Sequence, residues 1–279
     1  MGAKTVSRAV NLVTAVGEGF RFLDVLYDFP QNTIKRVKGR CTEFFIDYDD
    51  DWNAHYREVH TGSGSSITTK DVLKAVGSGV DAVHLAPMNP PKVERIASAV
   101  KSLKRGVIVS FNPCIHYLNS KQNRDASLKA ASCSDIVILN ERELHAMTGK
   151  EVVSDALRTI KSGMLVLTLG EIGTIVSTRG STEFIPAMSA ITKKAVDVTG
   201  AGDTWSGSFL AAYLMTGSWI KAVSFASVIS AIKCTGWNFE KVRPLRFESV
   251  EEIFDLAVAF KEKGRQLTLS DSLKTVRLP

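Results

Sequence analysis

From Val80 onward the chain alternates short, wholly apolar runs with segments of helical periodicity, and this rhythm limits its folds more than any other feature. "VDAVHLAP", "GVIVSFNP", "DIVILN" and "MLVLTLG" are too short for typical helices and apolar on both faces, as strands buried on both sides must be. "PPKVERIASAVKSLKR" places Val93, Ile96, Ala97, Val100 and Leu103 at helical spacing behind two prolines suited to a helix start. Asp125 to Ser132, "ERELHAMTG" closed by Gly149, and "VSDALRTIKSG" supply further helices. Such alternation predicts an α/β fold, a mostly parallel central sheet covered by helices on both faces. "GTIVSTRG" and "STEFIPA" predict a hairpin turning at Arg179 and Gly180. Two long helices follow, over Asp203 to Met215 and Trp219 to Cys234, then an amphipathic helix over about Val250 to Lys263.

The first 70 residues follow a different rule. "CTEFFIDYDDDWNAHYREVH" alternates apolar and polar residues around an acidic turn, as a partly exposed antiparallel hairpin would. It suits a small β lid, over about residues 36–62, or a strand at a homodimer contact. No repeat, low-complexity tract or linker divides the 279 residues, which predicts a single domain over 1–279.

Composition removes several classes of function. The net charge of +6 suggests an anionic partner, but Lys and Arg are spread along the chain apart from "KRVKGR" at Lys35 to Arg40. No basic helix interleaved with aromatics is present, so a phosphorylated small molecule is expected rather than nucleic acid. Cys41, Cys114, Cys133 and Cys234 form no CxxC pair, which argues against zinc and disulfides and for a reducing cytoplasm. The apolar region from Trp205 to Cys234 is broken by Gly217 and Lys221, so two buried helices are expected and no membrane span. The N-terminus lacks the ordered regions of a signal peptide. There is no G-x-x-x-x-G-K-[ST], and in "GAGDTW" Trp205 stands where a dinucleotide fingerprint needs its third glycine. "DYDDD" could mimic a metal motif but reads more simply as a solvated turn. The five histidines show no H-E-x-x-H and read as ordinary polar or core residues.

In open parallel sheets, ligands bind beyond the carboxyl ends of the strands. Asn112 follows "VIVSF", Asn140 and Glu143 follow "DIVIL", and "TLGEIG" holds Thr168, Gly170 and Gly173. "DVTGAGDTWSGSFLAAYL", Asp197 to Leu214, then starts a helix. A helix start carries unpaired N–H groups and partial positive charge. Small residues at Gly200, Ala201 and Gly202 let an anion approach those amides. Asp203 beside them is placed to accept a proton from a hydroxyl attacking a phosphoryl group. A capped helix over a tight turn would use the same residues.

These residues resemble the PfkB (ribokinase) carbohydrate kinase family. "DVTGAGDTWSGSFLAAYL" looks like its signature D-T-x-G-A-G-D-x-F, "NERE" at Asn140 to Glu143 is similar to its N-x-x-E motif, and "LTLGEIGT" resembles its T-x-G-x-x-G nucleotide loop. "AVSFASVISAIKCTG" and "RPLRFESVEEI" match, in order, its adenine-side helix, cation loop and final helix, so the resemblance runs from about Gly17 to Phe254. It implies a ribokinase-like three-layer α/β/α sandwich and transfer of phosphate from ATP to a hydroxyl of a sugar or polyol. Nucleosides or inositols are alternative acceptors, and a non-catalytic paralogue is the rival class. Asp203 would be the catalytic base, with the amides of Gly200, Ala201 and Gly202 as the anion hole. Asn140 and Glu143 would organise Mg2+ through its waters. Thr168, Gly170, Gly173, Thr235 and Gly236 would line the nucleotide, and Asn112 the substrate. Asp197 and Thr199, with backbone near Thr235 and Gly236, match the monovalent-cation (K+) site of many members. The sequence departs from the family in lacking the first strand with its acidic sugar-binding residue and the Gly-Gly motif; "VNLVTAVGEGF" resembles a segment that follows them.

Overall fold

A computed structural model describes residues 1–50, 52–77, 79–187 and 195–253. The N-terminal strands lie outside the main sheet. β1 (Thr14–Glu18) runs parallel to β2 (Ile34–Arg40), with the short helix α1 (Leu23–Leu26) between them. β3 (Glu43–Tyr48) pairs antiparallel with β4 (Ala54–His60), the hairpin expected from the alternating pattern. Its acidic turn is held from within: Asp49 accepts hydrogen bonds from the Asn53 backbone N–H at 2.8 Å and its Nδ2 at 3.0 Å. The β1–β2 pair had no counterpart in the sequence reading, because "IKRVKGR" carries neither alternation nor a continuous apolar run.

α2 (Thr69–Ala75) leads into the main sheet, starting from a capping box between Thr68 and Asp71. β5 (Ala82–Leu85), α3 (Pro90–Leu103), β6 (Ile108–Phe111), α4 (Lys121–Ser132) and β7 (Ile136–Asn140) follow in turn. After them come α5 (Glu141–Thr148), α6 (Val153–Thr159), β8 (Met164–Thr168), β9 (Gly173–Thr178) and β10 (Thr182–Pro186). The six strands lie in the order β10-β9-β8-β7-β6-β5; β5 to β8 are parallel, and β9 and β10 are antiparallel additions. α4 begins four residues earlier than Asp125 because the Ser120 hydroxyl accepts the Asn123 N–H and caps the helix there.

The pleat sends successive side chains to opposite faces, and both faces are covered. Ile136 and Ile138 pack with α7 (Ala201–Thr216) and α8 (Trp219–Lys233), whereas Val137 and Leu139 pack with α3, α4 and α5. The three-layer α/β/α sandwich is thus built from two separate cores. α7 and α8 are apolar nearly all round, as helices buried on several sides must be. Phe209, Phe225 and Ile229 are fully buried, each contributing about 1.5–3 kcal/mol. Trp205, Phe209 and Tyr213 stack along α7 at 5.1 and 6.0 Å. His84 is half-buried on β5, its ring within hydrogen-bond distance of Ser110 on the next strand, and desolvation pushes its pKa down to about 4, which keeps it neutral. Residues 251–253 are helical, and the rest of the helix expected to Lys263 lies outside the described residues. Among the described residues no helix is long and apolar enough to cross a membrane.

Candidate active site

Contacts draw the carboxyl ends of β6 and β7, the start of α7 and the β3–β4 hairpin together around one place. Gly200 is the N-cap of α7 in the left-handed conformation, φ +74°, which favours a residue with no Cβ. Open space faces Gly202. The Ala201 N–H already donates to the Val198 carbonyl at 3.0 Å. Among the described residues the N–H groups of Gly200 and Gly202 have no acceptor.

Asp203 occupies the third position of α7, and its carboxylate accepts no hydrogen bond among the described residues. The cap is Gly200, so Asp203 does not serve the helix as a capping side chain. Asp203 is exposed to solvent as a residue, yet its carboxylate is crowded by protein on one side. That crowding pushes its pKa up, opposed by the positive charge of the Met1 amino group.

Opposite Asp203, β7 runs directly into α5. Asn140 Oδ1 accepts the Glu143 N–H at 2.9 Å, and Glu143 Oε2 accepts the Asn140 N–H at 3.0 Å. The N-x-x-E pattern is therefore a capping box that locks both side chains at the helix start. Burial raises the Glu143 pKa to about 7; the Asn140 amide works against this and the Asp203 charge works with it. Asn112 Nδ2 donates to Ser206 Oγ at 2.7 Å, one turn along α7 from Asp203, while its Oδ1 is buried without a partner.

Thr168 neighbours Asn140 in the β7–β8 register. Gly170 lies in the following turn with φ +57°, and Gly173 presses against the backbone of Ile185 and Pro186. Thr235 and Gly236 follow α8, with Gly236 packed against Glu240 and Lys241. The Cys234 carbonyl accepts the N–H groups of Val196 at 2.7 Å and Asp197 at 3.3 Å, which joins this segment to the turn before α7. No hydrogen bond among the described residues links the β8–β9 turn to Thr235 or Gly236. Asp197 Oδ1 accepts the Thr199 N–H at 2.9 Å, while Lys233 Nζ donates to Asp197 Oδ2 at 2.7 Å and to its carbonyl at 2.8 Å. Burial alone would raise the Asp197 pKa; the Lys233 and Thr199 hydrogen bonds bring it below its ordinary value.

Four residues at this junction escaped the sequence reading. Tyr48 Oη donates to Thr199 Oγ1 at 3.2 Å, Arg142 donates to the Ala54 carbonyl at 3.1 Å, and Tyr56 Oη lies 3.6 Å from Cys114 Sγ. These contacts fasten the hairpin over the strand ends, and burial pushes the Tyr56 and Cys114 pKa values up. Two shallow concavities lie elsewhere, one between α3 and α4 and one beside Asp135 and Lys161, and neither contains the residues described above.

Residues 57–238 match the family described as pfkB family carbohydrate kinase. A cytidine kinase of Thermococcus kodakarensis is 35% identical over 133 residues, 47% of this chain and 46% of that protein. A ribokinase of Haemophilus influenzae is 31% identical over 168 residues, 57% of this chain and 51% of that protein. The match thus spans about half the length of these curated relatives. A solved fructokinase from Xylella fastidiosa with bound ATP superposes with a TM-score of 0.73 at 15% identity, covering 95% of this chain and 88% of that one, and shows a common fold. With more than half of its length matched in this way, the chain belongs to the pfkB family of carbohydrate kinases.

Proposed function

We propose that the chain transfers the terminal phosphoryl group of ATP to a hydroxyl of a sugar or related polyol. The observation that carries this reading is the Asp203 carboxylate, left without a hydrogen bond at the start of a helix whose Gly200 and Gly202 amides also lack acceptors. Asp203 takes the proton of the attacking hydroxyl, which works best from a pKa raised towards neutrality. The Gly200 and Gly202 amides, with the helix dipole, stabilise charge on the transferring group. Ala201 contributes a small side chain that leaves the approach open, its own amide being engaged.

The donor set suits Mg2+ held partly by nucleotide and water: Glu143 offers a hard carboxylate oxygen outside its capping bond, and Asn140 fixes it in place. When bound, that ion neutralises phosphate charge. Thr168, Gly170, Gly173, Thr235 and Gly236 border the nucleotide in this reading. The unpartnered Asn112 Oδ1 suits an acceptor hydroxyl as donor. A nucleoside acceptor is the second reading, favoured by the aromatic roof in which the Tyr56 and His116 rings lie 5.7 Å apart. The exposed Phe44 and Phe45 on the hairpin's β3 strand also suit contact with a second copy of the chain.

ADP release over a panel of sugars, sugar acids, nucleosides and inositols tests the reading. The expected result is activity with one acceptor class and a loss of about 10²–10⁴-fold in Asp203→Asn. Activity that survives this substitution removes Asp203 as the base. Nucleotide binding without turnover on any acceptor favours the non-catalytic paralogue.

A further inference from the structure

Lys233 ends a largely apolar helix, yet its side chain is almost wholly buried. A buried ammonium requires a paired charge and satisfied donors. Lys233 Nζ finds both in a single residue, the Asp197 carboxylate at 2.7 Å and the Asp197 carbonyl at 2.8 Å. Every oxygen of Asp197 is then engaged, because Oδ1 takes the Thr199 N–H and Oδ2 also takes the Asn238 N–H at 3.2 Å. A carboxylate oxygen and a backbone carbonyl on one small cation are what a monovalent metal ion would seek here. A second cation would have to share these oxygens with the ammonium at a separation where like charges repel strongly. The residues therefore do not fit the K+ expected at Asp197 and Thr199.

We propose that the Lys233 ammonium is the resident cation of this turn, so that the chain sets its phosphate-facing helix start without a monovalent metal ion. The geometry shows how it acts. Asp197 lies three residues before Gly200, and Lys233 precedes Cys234, whose carbonyl takes the Val196 and Asp197 amides. Ser230, one turn earlier on α8, donates to the Ala201 carbonyl at 3.0 Å. The end of α8 thus holds the segment leading into the Gly200–Asp203 turn at three places, one of them ionic. Lys233 is a positioning residue: it acts on the turn through Asp197 and need not touch substrate.

The test compares chloride salts of potassium, sodium and tetramethylammonium at equal ionic strength. Melting temperature and affinity for a fluorescent ADP analogue are read beside ADP release. The wild-type protein is expected to vary by less than about twofold in affinity across the three salts, below the usual range of coupling between sites. Lys233→Gln, which removes the charge at similar length, is expected to bind the analogue poorly in tetramethylammonium. Potassium should restore it by at least about fivefold. Lys233→Arg keeps the charge and should remain indifferent to salt.

Potassium activation of the wild-type protein, or of the Arg variant, overturns the inference. So does a Gln variant impaired equally in all three salts or misfolded in all of them, because that is the behaviour of a purely structural lysine. The inference rests on the phosphotransfer reading only for the purpose of the turn. Absence of ADP release with every acceptor, together with salt-indifferent melting of the wild type and potassium rescue of Lys233→Gln, would defeat that reading and leave this one standing.

Discussion

Glu143 is pulled in opposite directions by its two neighbours. Its hydrogen bond from the Asn140 amide favours the ionised form, but burial and the nearby Asp203 charge hold its pKa at about 7. An unfolded glutamate titrates near ~4.3. Between these values the folded chain keeps a proton that the unfolded chain has lost, so stability falls as pH rises through the window. The melting temperature of the ligand-free protein is therefore expected to drop from pH 5 to pH 7.5. Glu143→Gln should flatten that slope, since glutamine preserves the capping box and has no proton to lose. Part of the slope should remain, because burial raises the Asp203 pKa as well. A variant as steep as the wild type would clear Glu143 of the effect. Mg2+ with nucleotide, by placing positive charge near Glu143, should flatten the wild-type slope in the same way.

Two helix starts carry the candidate chemistry, and they were legible to different degrees. α5 could be read from "NERE" alone, because a capping box is a local device whose partners lie three residues apart. Asn140→Ala is expected to cost about 1 kcal/mol in urea unfolding. α7 could be read from its small residues, and the positive φ of Gly200 gives that reading a measurable consequence. Gly200→Ala meets no steric obstacle, its nearest neighbour being Asp203 Oδ2 at 4.0 Å, so its penalty is conformational, about 1–2 kcal/mol, with a fall in kcat as the turn relaxes. A neutral effect on both stability and turnover would show that the left-handed conformation is not required. The α8 contribution was not legible. Lys233 and Asp197 are 36 residues apart, and a lone lysine ending an apolar helix reads as a surface charge until the fold brings it inward. The β1–β2 pair was missed for a related reason: its pairing is long-range and "IKRVKGR" has no pattern of its own. The six strands of the main sheet were legible because burial on both faces, or a hairpin turn, leaves a mark in the local sequence.

At the scale of the whole molecule, a two-core sandwich supplies a rigid floor and the β3–β4 hairpin supplies a roof tied to it by Tyr48, Ala54 and Tyr56. The floor was predictable from periodicity. The roof's position was not, because its ties join residues as much as 151 positions apart. One of those ties meets Thr199, the residue immediately before the left-handed cap of α7. Tyr48→Phe removes this hydrogen bond, worth about 0.5–1.5 kcal/mol. The expected outcome is a several-fold fall in kcat for ADP release with acceptor as the helix start loses this support, and a drop of at most a few degrees in melting temperature. An unchanged kcat would show that the tie does not bear on the proposed reaction. A side chain on the hairpin braces the residue on which the left-handed cap of α7 is built, so a change on that exposed strand would be felt at a helix start 151 residues away in sequence.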